Sequence, residues 1–362
     1  MRIEKRFIPP SYNPHSAIRN LKSALRSRSL HNMWHYSHER DETLRTRVTL
    51  VGLLCLCLLA LNGCEHAAST PQAGANNSRT KSNAYEPPVR LAELEDDAIT
   101  ESSGIVASRR NPDIFWTHND SGDGPILYAF DRKGKNMGRW RVAGAQAVDW
   151  EDIAAGPGPQ PGVSYLYIGD IGDNVSRRES ITVYRVAEPS ITSHGDSSSR
   201  AVQQVTEEAE AIRLKYPDGK HDAETLMVHP TTGDIYIITK SLRITSGVYK
   251  LKAPYSASVV NTLERLGEIS VPNLAAGLIT GGDISPDGRR VVLCDYLAAY
   301  EVSLPANLAD NFDQIWKQPM ETIELGQRRQ GESVCYRLDG QAILATSEKQ
   351  PTPLIEVKRK KK

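Results

Sequence analysis

Five times after residue 100 the chain runs from a short polar or acidic cluster into an aliphatic residue. The segments are Glu101-Ser-Ser-Gly-Ile105, Asp149-Trp-Glu-Asp-Ile153, Asp222-Ala-Glu-Thr-Leu226, Thr280-Gly-Gly-Asp-Ile284 and Gln330-Gly-Glu-Ser-Val334, with intervals of 48, 73, 58 and 50 residues between the aliphatic positions. Each unit continues alike. A turn signal such as Asn111-Pro-Asp, Thr232-Gly-Asp or Ser285-Pro-Asp-Gly leads to a second apolar run such as Ile114-Phe-Trp, Ile235-Tyr-Ile-Ile or Val291-Val-Leu. A polar loop and a third run follow, for example Ile126-Leu-Tyr-Ala-Phe or Gly247-Val-Tyr-Lys-Leu. A repeat of about 50 residues with about four short strands per unit predicts an all-β chain folded as a β-propeller. Five blades over residues 89–357 fit the count, with six as the alternative; a β-sandwich does not repeat one motif five times. The longest interval contains the Ser-rich stretch 190–200, which reads as a loop insertion. The fifth unit stops after three strands at Leu354-Ile-Glu-Val357, so Pro88-Val-Arg-Leu-Ala-Glu-Leu94 is expected to supply its fourth, closing the ring and hiding both edge strands.

The N-terminal region carries a different signal. Arg45 and Arg47 precede a largely apolar run from Val48 to Leu61, too short for a membrane span and suited to the core of a signal peptide (residues 45–63). It ends in Leu61-Asn62-Gly63-Cys64, which resembles the bacterial lipobox and makes Cys64 the expected lipidation site. Glu65 after it differs from the Asp of the common inner-membrane retention signal, so the bacterial cell envelope, and the outer membrane of a two-membrane organism, is the expected location. Residues 1–44 are polar and interrupted by Pro9, Pro10 and Pro14, and read as an upstream start assignment or a disordered leader. Residues 64–88 read as the lipidated cysteine and a flexible tether.

Charge narrows the partners. The whole chain balances 44 Lys and Arg against 44 Asp and Glu, yet residues 1–63 hold ten basic and four acidic residues and 358–362 are all basic. The body between them is therefore acidic, which excludes a nucleic-acid groove. The terminal basic run reads as a solubilising tail. A monomer is expected. Of the five cysteines, Cys294 and Cys335 fall within strand-like runs; they read as small buried thiols, with a disulfide between them as the other arrangement open to them.

In a propeller, the loops entering the first strands and those joining second to third strands open on one face. That places Glu101, Asp149, Glu151, Asp152, Asp222, Glu224, Asp283 and Glu332 near His118-Asn119-Asp120-Ser-Gly-Asp123, Asp170-Ile-Gly-Asp173-Asn174, Lys240, Asp295 and Glu348. So many carboxylates about one axis repel unless a cation, protonation or hydrogen bonds offset them. With only oxygen ligands on offer, Ca2+ is the expected cofactor, held by Glu151, Asp152, Glu224 and Glu332 with Asp170 and Asn119. His118, Asp120, Asp173, Asn174, Lys240, Asp283, Asp295 and Glu348 are the candidate ligand contacts, with His118 also a candidate base. The competing reading is that acids at strand starts accept amides of the neighbouring blade. Gly-x-Ser-x-Gly is absent, so no nucleophile elbow is expected, and His221 beside Asp222 is adjacency alone.

The runs Trp116-Thr-His-Asn-Asp-Ser-Gly-Asp123, Val148-Asp-Trp-Glu-Asp-Ile-Ala154 and Leu166-Tyr-Ile-Gly-Asp-Ile-Gly-Asp-Asn174 resemble a group of uncharacterised bacterial secreted or lipoprotein β-propellers over about residues 95–350. That resemblance implies a fold and no reaction. More loosely, the acidic strand starts are similar to gluconolactonase-type and esterase-like phytase propellers, which implies a metal over the channel. Three functions follow as expectations. The first is a lipid-anchored envelope module binding a divalent cation and an unknown glycan or protein. The second is a calcium-dependent lactonase or phosphoesterase, and the third a non-catalytic scaffold.

Overall fold

The computed structural model describes residues 81–191, 203–242, 245–272 and 278–361; the expected leader, signal peptide and Cys64 lie outside them. The described chain forms five sheets in sequence order, each built on four antiparallel strands. Blade 1 holds β2 (Ser102–Ala107), β3 (Ile114–Asn119), β4 (Ile126–Asp131) and β5 (Asn136–Ala143). Blade 2 holds β6 (Trp150–Pro157), β7 (Ser164–Asp170), β8 (Ile181–Ala187) and β10 (Glu210–Lys215). Blade 3 is β11 (Ala223–Val228), β12 (Ile235–Thr239), β13 (Ser246–Leu251) and β15 (Glu264–Ile269). Blade 4 is β16 (Gly281–Ile284), β17 (Arg290–Cys294), β18 (Ala298–Ser303) and β19 (Met320–Glu324). Blade 5 is β20 (Val334–Tyr336), β21 (Ala342–Ala345), β22 (Pro353–Lys358) and, from the other end of the chain, β1 (Val89–Glu93). The inner strands β2, β6, β11, β16 and β20 neighbour one another around a closed ring, β20 meeting β2. The protein is a five-bladed β-propeller.

The apolar runs are continuous because both faces of each blade are buried. Along β7, Tyr165 and Tyr167 enter the core shared with blade 3, whereas Leu166 and Ile168 enter the core shared with blade 1. Five such cores, one per junction, fill the ring. Burial falls outward: every residue of β11 is buried, while β15 is largely solvent-facing. Among the described residues helix is confined to two 3-10 turns, Ala306–Leu308 and Phe312–Lys317, and none is long and apolar enough to cross a membrane.

The long second interval holds more than a loop. Strand β9 (Gln203–Glu208) crosses back to add a fifth strand to blade 1, parallel to β5. A short β14 (Val260–Thr262) likewise caps β10 in parallel.

Ring closure follows the expected route, β1 pairing antiparallel with β22 from Val89↔Glu356 to Glu93↔Pro353. Both chain ends are tied beyond that pair. Tyr85 is buried and donates its hydroxyl to Glu301 at 2.6 Å, Lys360 N donates to the Ala84 carbonyl at 2.7 Å, and Arg359 Nη1 meets Glu301 at 3.0 Å. The stretch read as tether and tail is thus built into the seam at its inner ends. Glu301, a buried acid on β18, is met by four basic or phenolic side chains, Tyr85, Tyr336, Arg290 and Arg359. Cys294 and Cys335 are separate buried thiols.

Candidate functional site

The position before the last residue of each polar cluster decides where an acid points. In β2, β6 and β11 the ladder breaks at the same place, between Ser102 and Gly104, Trp150 and Asp152, and Ala223 and Thr225. The extra residues, Ser103, Glu151 and Glu224, sit on β-bulges, which re-aim a side chain relative to its neighbours. Glu151 thereby joins Asp149 before the strand and Asp120 from the β3–β4 loop. Carboxylate oxygens of these three lie within 4.8 Å of one another. Gly172, in the β7–β8 loop, covers them so closely that a Cβ there would collide with both Glu151 and Asp149.

The acids around this trio come from other blades. Glu224 is ion-paired with Lys240, whose Nζ stands 5.3 Å over the Tyr296 ring. The other Glu224 oxygen, Oε2, is buried with no hydrogen-bond partner among the described residues. Glu332 and Glu348 of blade 5 share the Gln330 side-chain amide. Blade 4 offers Gly281 and Gly282 instead of acids, and a Cβ at Gly281 would strike the Glu332 carbonyl oxygen.

Burial and mutual repulsion raise the proton affinity of this set. Glu151 is pushed well above the usual carboxylate range by burial, then by Glu224, Asp120, Asp149 and Asp222. Asp120 rises to about 6, through burial first and the charges of Glu332, Asp149 and Glu101. Asp149 is raised by burial and by Asp222. Glu224 is raised too, since burial outweighs the attraction of Lys240. Glu348 is raised by burial and by the hydrogen bond it shares with Glu332.

The remaining candidates stand apart from this cluster. Asp152, next to Glu151, points into the blade 2–3 junction, where it accepts Leu226 N at 3.0 Å and Ile153 N at 2.8 Å. Asp283 does the same at the blade 4–5 junction with Tyr336 N and Ile284 N. Asp170 is ion-paired with Arg178 at 2.7 Å and accepts the amide of Asp149 at 3.3 Å, so it braces the trio from behind. The Asp173 carboxylate accepts the amides of Arg177 and Arg178. Asn119 Oδ1 accepts Thr100 N and Glu101 N while its Nδ2 donates to Ala98 O. Asp295 accepts Leu297 N, Ala298 N and the Tyr300 hydroxyl. His118 is fully buried, edge-on to Trp150, and burial lowers its pKa to about 4.

Asn174 is exposed at a groove of about 780 Å³ between blades 2 and 3, which His221 and Lys240 also line. There His221 Nε2 meets Asp218 Oδ1 at 3.1 Å rather than its sequence neighbour Asp222, and the Tyr249 hydroxyl is 3.1 Å from the same nitrogen. Asp218 and Tyr249 gave no sequence signal, because one lies in a turn and the other in an ordinary apolar strand.

No protein-family model matches the chain, and no curated protein matches it. Among solved structures, the WD40 domain of Neurospora crassa Pan2 is similar at 8% identity with a TM-score of 0.42, over 79% of this chain and 99% of that one. The class of the protein accordingly rests on its own sheets.

Proposed function

We propose that the propeller is a binding module of the bacterial cell envelope, anchored through Cys64, whose acidic face takes a calcium ion on Asp120, Asp149 and Glu151 and presents it to a glycan or protein ligand. The observation that supports this reading is the convergence of three carboxylates from two blades under Gly172. Oxygen-only ligands with one bulge-borne glutamate suit a hard cation. Glu224 stands behind as a fourth acid with one oxygen unsatisfied. Binding is favoured over hydrolysis because His118, the candidate base, is sealed in the blade 1–2 junction and stays neutral, out of reach of a substrate on the face.

The test is calcium titration of the folded domain by calorimetry, with melting curves in calcium and in chelator. Calcium at a hundredfold excess over its Kd should add about 2.7 kcal/mol of stability. Glu151→Gln should lose that gain while keeping its stability in chelator. Absence of a calcium response in the wild type removes the cation from the reading.

A further inference from the structure

We infer that the groove between blades 4 and 5, next to the acidic face, is a binding site for the oxyanion of a small polar ligand, a carboxylate or a phosphate on a sugar-sized molecule. The groove encloses about 570 Å³ and is lined by Arg328, Arg329, Tyr296, Leu297, Pro351 and Pro353. Its floor is Arg328. The guanidinium lies flat against Gly331, where any Cβ would collide with it. Its described oxygen contacts are main-chain carbonyls, Asp295 O at 3.1 Å and Thr346 O at 3.5 Å. Its Nε is buried with no hydrogen-bond partner among the described residues. No carboxylate among the described residues lies within ion-pair distance of it, whereas Arg290 and Arg359 share Glu301 and Arg337 has Glu356.

The acids nearest in effect are Asp295 and Glu332. Both are engaged elsewhere, Asp295 by two amides and a tyrosine, Glu332 by Gln330. A half-buried guanidinium without a carboxylate partner is costly and persists where something offsets it. Burial accordingly lowers the Arg328 pKa. Arg329, exposed, spends one nitrogen on the Gln350 carbonyl at 2.7 Å and leaves the rest of its planar fork for a ligand. Arg90 also lines the pocket but is ion-paired with Glu93, which leaves the Arg328 and Arg329 guanidiniums to suit an oxyanion through paired hydrogen bonds. Tyr296, Leu297 and the prolines give apolar walls for a ring. The acids of the neighbouring face repel polyanions, so the site selects a small ligand with one anionic group. The groove is separate from the carboxylate trio and does not depend on a cation there.

The experiment compares D-glucuronate, D-glucose 1-phosphate and neutral D-glucose by titration and by thermal shift, in chelator so that the calcium reading plays no part. At least one of the two anions should bind, with D-glucose weaker by about tenfold or more; which anion wins distinguishes carboxylate from phosphate. Arg328→Met and Arg329→Ala should each lower the affinity of that anion about tenfold. Arg328→Met should also raise the melting temperature of the ligand-free protein, because it removes an uncompensated half-buried charge. The inference is overturned if D-glucose binds as well as either anion, if neither anion binds, or if Arg328→Met lowers the ligand-free melting temperature, which would make the arginine a structural brace. Arg329→Ala, an exposed change, keeps the affinity test open should Arg328→Met fail to fold.

Discussion

At the scale of single residues, the acidic face is defined by which protons it holds. Asp120 and Glu151 have folded-state pKa values above those of free carboxyls. Such a group contributes stability that is present below its unfolded pKa and lost as pH rises through its folded value. For Asp120 that window runs from about 4 to about 6. Calcium at the proposed site would compete for the same oxygens, so its affinity should rise with pH across that range and beyond, with protons released on binding. Calorimetry in two buffers of different ionisation enthalpy measures that release directly, and Glu151→Gln should reduce it. A calcium affinity independent of pH between 5 and 8 would disagree with the assignment. The set of acids was legible in the sequence, since Asp149, Glu151 and Glu224 sit at the starts of repeats and Asp120 in the polar loop after a second strand. Which of two neighbours faces the axis was not. Glu151 and Asp152 differ by one position, and a bulge decides between them. The pairing of Arg328 with Gly331 was equally hidden, because only the fold lays one on the other.

At the scale of elements, the blade junctions use acids as backbone clamps. Asp152 satisfies Leu226 N on the next blade, and Asp283 satisfies Tyr336 N on the one after. Asp152→Ala should therefore leave two buried amides unpaired and lower unfolding stability by about 2–4 kcal/mol, equally with calcium and with chelator. Denaturant melts in both conditions separate this from Glu151→Gln, whose effect follows the metal. The strands of the five repeats could be read in advance because doubly buried strands give unbroken apolar runs, as in Ile235-Tyr-Ile-Ile. Strand β9 could not. Its Gln-Gln-Val-Thr-Glu-Glu is mostly exposed and is a strand because β5 offers it an open edge, a tertiary cause that leaves no periodicity in the sequence.

At the scale of the whole molecule, attachment and closure are linked. Cys64→Ala should release the protein from membranes and leave the precursor unprocessed, since one unmodified apolar segment of this length anchors poorly and a lipidated terminus anchors well. Detergent partitioning of the two forms measures this, and equal partitioning would contradict a lipid anchor. From Lys81 on, the contacts at the seam come in sequence order. Lys81 and Ser82 touch β19, Tyr85 joins the Glu301 hub, and only then does β1 lie along β22. A pull on the tether is thus borne one contact at a time. Exposed Lys81–Glu324 yields first, the buried Tyr85–Glu301–Arg359 knot next, and the strand last. With the lipid anchor proposed above, the seam that closes the ring would act as a graded mechanical fuse between that anchor and the blades.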